Sequence, residues 1–137
     1  MADPRVVFVC VENSCRSQMA EGFARALGAG RLEAHSSGSR PSGKVNPRAI
    51  QFMRERGIDL ETHWSKGLDQ LPGGTWDYVV TMGCGDACPT LVARHRLDWD
   101  LPDPKHLDDD GFRAVRDRIE SEVRALLARI VADRHTP

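Results

Sequence analysis

The chain alternates between two kinds of hydrophobic pattern, and this alternation limits its possible folds more than any other feature. Residues 6–9 form a short, uninterrupted apolar run, which is typical of a strand covered on both faces. Over 17–27 the apolar residues recur at helical spacing, and Gly28 supplies a C-terminal stop. The change from strand to helix recurs later in the chain, which predicts an α/β fold.

Five further elements are predicted: a strand over 32–39, a helix over 46–57, strands over 76–82 and 96–101, and a helix from about Asp110. The second helix has a capping Asn46, a Pro47 suited to its first position and a terminating Gly57. The last helix carries one apolar stripe: Phe112, Val115, Ile119, Val123, Leu126 and Ile130. This order predicts a three-layer α/β sandwich with a four-stranded parallel sheet and right-handed crossovers. We expect residues 1–137 to form a single domain.

Charge and composition exclude several classes of function. The formal net charge of -1 argues against a general nucleic-acid or membrane-surface binder, which normally carries a basic excess. There is no apolar run of roughly 18 residues and no signal-peptide pattern, so we expect a cytoplasmic protein. The four cysteines should then be reduced, and reactive, metal-binding or buried rather than permanently paired.

The turn between the first strand and the first helix has the composition of an anion-binding loop. Five residues separate Cys10 from Arg16, and the helix N-terminus adds partial positive charge. Arg16 can hold two oxygens of a tetrahedral oxyanion, and the same field favours the Cys10 thiolate. Either Ser14 or Ser17 can donate to that thiolate or cap the helix. The predicted oxyanion-binding residues are Val11, Glu12, Asn13, Ser14, Cys15, Arg16 and Ser17.

Each of these cysteines also has a purely structural interpretation. Cys10 can be a small buried residue at a strand end, although its spacing from Arg16 favours the chemical interpretation. Cys15 has no partner of its own in the sequence, and packing is its favoured role.

A second pair of thiols, Cys84 and Cys88, follows the third strand. The carboxyl ends of parallel strands share one edge of the sheet, so this pair is expected near Cys10. A thiol pair can carry two electrons, and one helical turn would bring the two Cα atoms to about 6 Å, within disulfide range. The alternatives are two buried structural thiols, or a zinc site with His95 that lacks a fourth ligand.

Three segments in order, VFVCVENSCRSQMAEGFA, VVTMGCGDACP and DWDLPDP, resemble the low-molecular-weight tyrosine phosphatase family, and within it the arsenate reductases. The resemblance covers nearly the whole chain. It implies that Asp103, in an Asp-Pro loop, is the general acid, whereas the sequence alone also allows an ordinary turn aspartate beside proline.

Some members of the family hold an alkali cation near the positions of Asn13, Glu21 and Ser36. Ser65 replaces a further carboxylate here, and we assign no metal ligands.

The resemblance implies an arsenate reductase that forms a Cys10–arsenic adduct and releases arsenite through a relay of Cys84 and Cys88. No bound cofactor is expected, and phosphate should compete with arsenate. Thioredoxin is the favoured external reductant, and the short spacing of the two cysteines leaves room for a small thiol or a glutaredoxin-like system. Two alternatives remain. One is a phosphotyrosine phosphatase that uses Cys10, Arg16 and Asp103, although Lys105 and His106 stand where such enzymes usually have tyrosines. The other is a non-catalytic oxyanion-binding module.

Overall fold

The computed structural model describes residues 3–82 and 91–134, and a four-stranded parallel sheet lies at its centre. The strands are β1 (Arg5–Cys10), β2 (Glu33–Gly38), β3 (Trp76–Thr81) and β4 (Ala93–Asp98). They are arranged in the order β2-β1-β3-β4, and every neighbouring pair is parallel. The predicted α/β fold with a four-stranded parallel sheet is confirmed.

Three helices accompany the sheet: α1 (Arg16–Leu27), α2 (Pro47–Arg54) and α3 (Asp109–Arg134). Their ends follow the predicted signals. The Asn46 side chain accepts a hydrogen bond from the Arg48 N–H at 2.8 Å and caps α2. Gly57 follows the end of α2 with φ of +75°, a left-handed conformation that glycine adopts without strain. Asp108 accepts a bond from the Gly111 N–H at 2.8 Å at the start of α3.

The strand order places the end of β1 at the point where the chain changes direction across the sheet. From β1 the chain connects first to β2 on one side and later to β3 on the other. Cys10 is the last residue of β1 and pairs with Gly38, the last residue of β2. Ligands of open parallel sheets bind at such a position, beyond the carboxyl ends of the strands.

Two hydrophobic clusters cover the two faces of the sheet. All three helices contribute to the larger cluster, and all six residues of the predicted α3 stripe are buried in it. The smaller cluster lies on the opposite face around Val7, Val9 and Val79. In the described part of the chain, it is covered by Leu91 and by the 3₁₀ helix Leu68–Gln70 with its neighbouring loop.

The position predicted for the fourth strand was wrong by three residues. We expected it within 96–101, but β4 spans Ala93–Asp98. It is an edge strand with mostly exposed side chains, so its sequence lacks the apolar pattern of a central strand. The apolar residues that suggested a later strand, Trp99 and Leu101, lie in the following loop and pack into the larger cluster.

The three tryptophans were expected in the core or at an interface. Trp76 and Trp99 are buried, whereas Trp64 is 53% exposed. The Lys66 ammonium lies 5.3 Å from the centre of its rings, a distance at which a cation is attracted to an aromatic face. No helix in the described ranges is long and apolar enough to cross a bilayer.

Candidate active site

The loop between β1 and α1, residues 10–16, is held in shape by bonds to its backbone carbonyls. The carbonyls of Val11, Glu12 and Ser14 accept N–H groups of the segment 40–46 at 2.8, 3.0 and 3.1 Å. In a planar trans peptide the next N–H points away from the carbonyl. Fixing these carbonyls outward therefore directs the following N–H groups toward the inside of the loop. The N-cap residue of α1, Cys15, makes no side-chain cap bond, so the positive end of the helix is not offset by its own cap.

The loop encloses a cavity of about 250 Å³ at the carboxyl edge of the sheet. It is lined by Cys10, Val11, Glu12, Ser14, Cys15, Arg16 and Asp103. Arg16 is anchored by its Nη1 atom, which donates to the Met82 carbonyl at 2.6 Å and to the Leu101 carbonyl at 3.0 Å. Neither its Nε nor its Nη2 bonds to any residue in 3–82 or 91–134, and a guanidinium can hold an oxyanion through two such N–H groups.

Cys10 is hydrogen-bonded to a chain of buried polar side chains. Its sulfur lies 2.8 Å from the Ser17 hydroxyl, and that hydroxyl accepts a bond from the Asn13 amide at 2.8 Å. When Cys10 is a thiolate it has no hydrogen to donate, so in that form it accepts this bond from the Ser17 hydroxyl. Of the two serines considered from the sequence, Ser17 is therefore the partner of Cys10. Asn13 has φ of +51°, and four further bonds to its side chain and carbonyl hold it there.

Cys15, the second cysteine of the loop, differs from Cys10 in its surroundings. It is buried, and burial, followed by the nearby charges of Asp103 and Cys10, raises the pKa of its thiol to about 12. Ser14 forms a side-chain hydrogen bond with this thiol. Cys15 is therefore a packed thiol in the cavity wall that stays protonated at neutral pH.

Asp103 reaches the cavity from the loop after β4. Its side chain is exposed and accepts the Lys105 N–H at 3.1 Å, which caps the 3₁₀ helix Pro104–His106. The Lys105 ammonium in turn forms an ion pair with Glu12 at 2.8 Å. The Asp-Pro loop is thus joined to the loop of residues 10–16. This ion pair could not be predicted from the sequence, because its members are 93 positions apart.

A buried ion pair between Glu21 and Lys66, next to Asn13, was also not predicted from the sequence. The side chains of Glu21 and Lys66 are 4% and 9% exposed, and their charged atoms lie 3.6 Å apart. Ser36 donates to Glu21 and accepts from Lys66 at 3.4 Å. The Lys66 ammonium therefore lies among the side chains at which some members of the family hold an alkali cation. Burial lowers the pKa of Lys66, and the Glu21 carboxylate opposes that shift.

The two remaining predicted site residues, Cys84 and Cys88, lie outside the described residues. Met82, the last described residue before them, accepts a hydrogen bond from Arg16 at its carbonyl. The zinc alternative invoked His95, whose ring stacks on Tyr78 with centroids 4.9 Å apart. The described ranges hold no group of three or more His, Cys, Asp or Glu side chains arranged to bind a metal.

Fold and cavity together define a class of protein: a parallel α/β sandwich whose first strand ends in a cysteine facing an arginine-lined anion cavity. The family model described as low molecular weight phosphotyrosine protein phosphatase matches residues 5–136. This chain belongs to that family.

Within this family, the chain is similar to several arsenate reductases. A glutaredoxin arsenate reductase of Synechocystis is 40% identical over 129 residues, which cover 92% of this chain and 98% of the relative. A solved arsenate reductase in the phosphate binding state superposes with a TM-score of 0.86 at 40% identity, over 93% of this chain and 98% of that one. A thioredoxin-dependent arsenate reductase of Corynebacterium glutamicum has a TM-score of 0.79 at 30% identity, over 96% of this chain and 63% of that one.

Proposed function

We propose that this protein reduces arsenate to arsenite with electrons from thiols. The observation that carries the proposal is the cavity in which the Cys10 sulfur, the free edge of Arg16 and the Asp103 carboxyl meet, in a chain 40% identical to an arsenate reductase over nearly its whole length. About 250 Å³ suits a small tetrahedral oxyanion held by backbone N–H groups and a guanidinium.

The first step is attack of the Cys10 thiolate on arsenic. Ser17 donates a hydrogen bond that stabilises the thiolate before the attack. A sulfur–arsenic bond forms, an arsenic–oxygen bond breaks, and Asp103 supplies the proton with which the oxygen leaves as water. Arsenic is still pentavalent in this adduct.

Reduction follows in the thiol steps, which rest on the sequence. The Cys84 thiolate attacks the Cys10 sulfur, and the electron pair of the sulfur–arsenic bond remains on arsenic, which leaves as trivalent arsenite. Cys88 then attacks Cys84, which releases the Cys10 thiolate and leaves a Cys84–Cys88 disulfide. An external dithiol or two small thiols reduce that disulfide. The names of the relatives support both a thioredoxin and a glutaredoxin system as electron donor.

Arsenite production in a coupled assay tests the proposal. The reduced protein is given arsenate with a thioredoxin system, and separately with glutathione and glutaredoxin. We expect turnover with at least one donor, competitive inhibition by phosphate, and no turnover for Cys10→Ser. Absence of arsenite with every donor would contradict the proposal.

The same preparation distinguishes the two alternatives. A phosphatase would hydrolyse an aryl phosphate rapidly and leave arsenate unreduced. A non-catalytic oxyanion-binding module would turn over neither substrate, and Cys10→Ser would bind phosphate almost as well as the unaltered protein.

A further inference from the structure

Glu12 is an unexpected residue in the wall of a cavity built for an anion. Its carboxylate lines the same cavity as Arg16, and a negative charge there repels a bound oxyanion. Its backbone is fixed, because its carbonyl accepts bonds from Ser42 and Ser65 at 3.0 and 2.9 Å. The residue therefore stays at the rim, and its charge needs a partner there.

Lys105 is that partner, and it belongs to the loop that carries Asp103. Its ammonium lies 2.8 Å from Glu12, and its backbone N–H binds the Asp103 carboxylate at 3.1 Å. Its carbonyl accepts a bond from Arg48 at 3.5 Å. The hydrogen bond and charge of Glu12 raise the pKa of Lys105, so the lysine stays charged throughout the neutral range.

Both members of the pair are about one-third exposed, with side-chain exposures of 39% for Glu12 and 34% for Lys105. An ion pair so accessible to water contributes little to folding stability. Its consequences are therefore expected at the cavity, because Glu12 lines it and a charge there acts on a bound anion at short range.

We infer that Lys105 is a positioning residue: it offsets the charge of Glu12 at the cavity rim and, through this ion pair, holds the Asp103 loop against the oxyanion loop. The expected effect of Lys105 on the reaction rate rests on the proposed function, whereas its expected effect on affinity holds for any oxyanion. Two separable consequences follow. Oxyanion affinity depends on which member of the pair is removed, and the rate of adduct formation depends on whether the pair exists.

Phosphate affinity, measured by calorimetry on the reduced protein, tests the charge effect without any turnover. Lys105→Met leaves Glu12 uncompensated and should weaken phosphate binding about tenfold, whereas Glu12→Gln should strengthen it. If the pair were only a structural contact, its loss would change the phosphate affinity of both variants in the same direction. Lys44→Met is the matched control, because Lys44 is an exposed lysine for which the described residues offer no ion-pair partner; it should bind phosphate as the unaltered protein does.

Single-turnover arsenite release at saturating arsenate tests the positioning effect. Glu12→Gln and Lys105→Met should both slow the reaction, Lys105→Arg should largely restore it, and the exchange Glu12→Lys with Lys105→Glu should recover part of the rate. The inference is overturned if both single variants change phosphate affinity in the same direction, or if both react at the unaltered rate. Failure of the proposed function would appear differently, as absence of arsenite in the unaltered protein, with the phosphate measurements still decisive for the charge effect.

Discussion

At the scale of single residues, the cavity holds two cysteines five positions apart whose surroundings give them different chemistry. Cys10 ends a strand, and its sulfur lies 2.8 Å from the Ser17 hydroxyl. Cys15 lies in the cavity wall with its thiol pKa raised to about 12 by burial. Because the thiolate is the reactive form of cysteine, the raised pKa of Cys15 makes it a poor nucleophile at neutral pH.

Alkylation of the reduced protein near neutral pH should therefore modify Cys10 and spare Cys15. The raised pKa of Cys15 means that its reactivity should increase only as the pH rises toward about 12, beyond the usual range of a free thiol. Phosphate should protect Cys10 by occupying the cavity. Peptide mass mapping after a short exposure to iodoacetamide measures both sites. Equal labelling of the two cysteines at neutral pH would contradict this assignment.

Asp103→Asn should slow formation of the cysteine–arsenic adduct by about 10²- to 10⁴-fold, because loss of a general acid removes the proton source for the leaving oxygen. Phosphate binding should not weaken, since the amide removes a negative charge from the cavity and the loop is still held by Lys105. Rapid-quench measurement of a single turnover checks the rate. An unchanged rate would show that another group or water delivers the proton.

At the scale of elements, the end of β2 sets the shape of the oxyanion loop. A Cβ atom on Gly38 would lie 2.5 Å from the Val11 carbonyl oxygen and 2.8 Å from the Asn13 nitrogen. Both neighbours are backbone atoms, so they cannot move without displacing the loop. The conformation of residues 10–16 thus requires a glycine on the neighbouring strand.

Gly38→Ala should therefore lower the free energy of unfolding by about 1–3 kcal/mol, as overpacking does, and should weaken phosphate binding by displacing the loop. Urea denaturation and calorimetry measure the two effects. Gly73→Ala is the control, because no atom lies within 4 Å of its added Cβ and its φ is outside the left-handed range. If Gly38→Ala bound phosphate as tightly as the control, the loop would be more adaptable than its packing indicates.

The elements differ in how far the sequence predicted them, for physical reasons. Caps and helical periodicity are local signals, so α2 and the α3 stripe were predicted closely. The edge strand β4 was misplaced because its exposed face carries polar residues and the apolar signal came from Trp99 in the next loop.

Contacts between distant residues left no signal of this kind. Neither the Glu12–Lys105 pair nor the buried pair of Glu21 and Lys66 can be found from spacing along the chain. Gly38 is required only because of a loop that precedes it by many positions. Even so, the approach of Cys10 and Arg16 to one cavity followed from their spacing at the carboxyl end of the first strand, whereas Asp103 was assigned to the site through the family resemblance.

At the scale of the whole molecule, the proposed reaction needs an anion cavity, a proton donor and a thiol pair at one edge of the sheet. The residues proposed for the first two, Cys10, Arg16 and Asp103, line one cavity in the described part of the chain. The third rests on Cys84 and Cys88 in the sequence after β3, together with the likeness to arsenate reductases. The thiol relay is therefore the step that most needs an independent measurement.

The most direct test is a single turnover without external reductant, in which arsenite is counted and disulfides are mapped by mass spectrometry. For the unaltered protein we predict about one arsenite per chain and a Cys84–Cys88 disulfide, because two electrons leave one thiol pair. Cys88→Ser should also release one arsenite and should stop with Cys10 bonded to Cys84, whereas Cys84→Ser should release little. Arsenite formed at full stoichiometry with neither disulfide present, or equally by both serine variants without a disulfide, would contradict the relay.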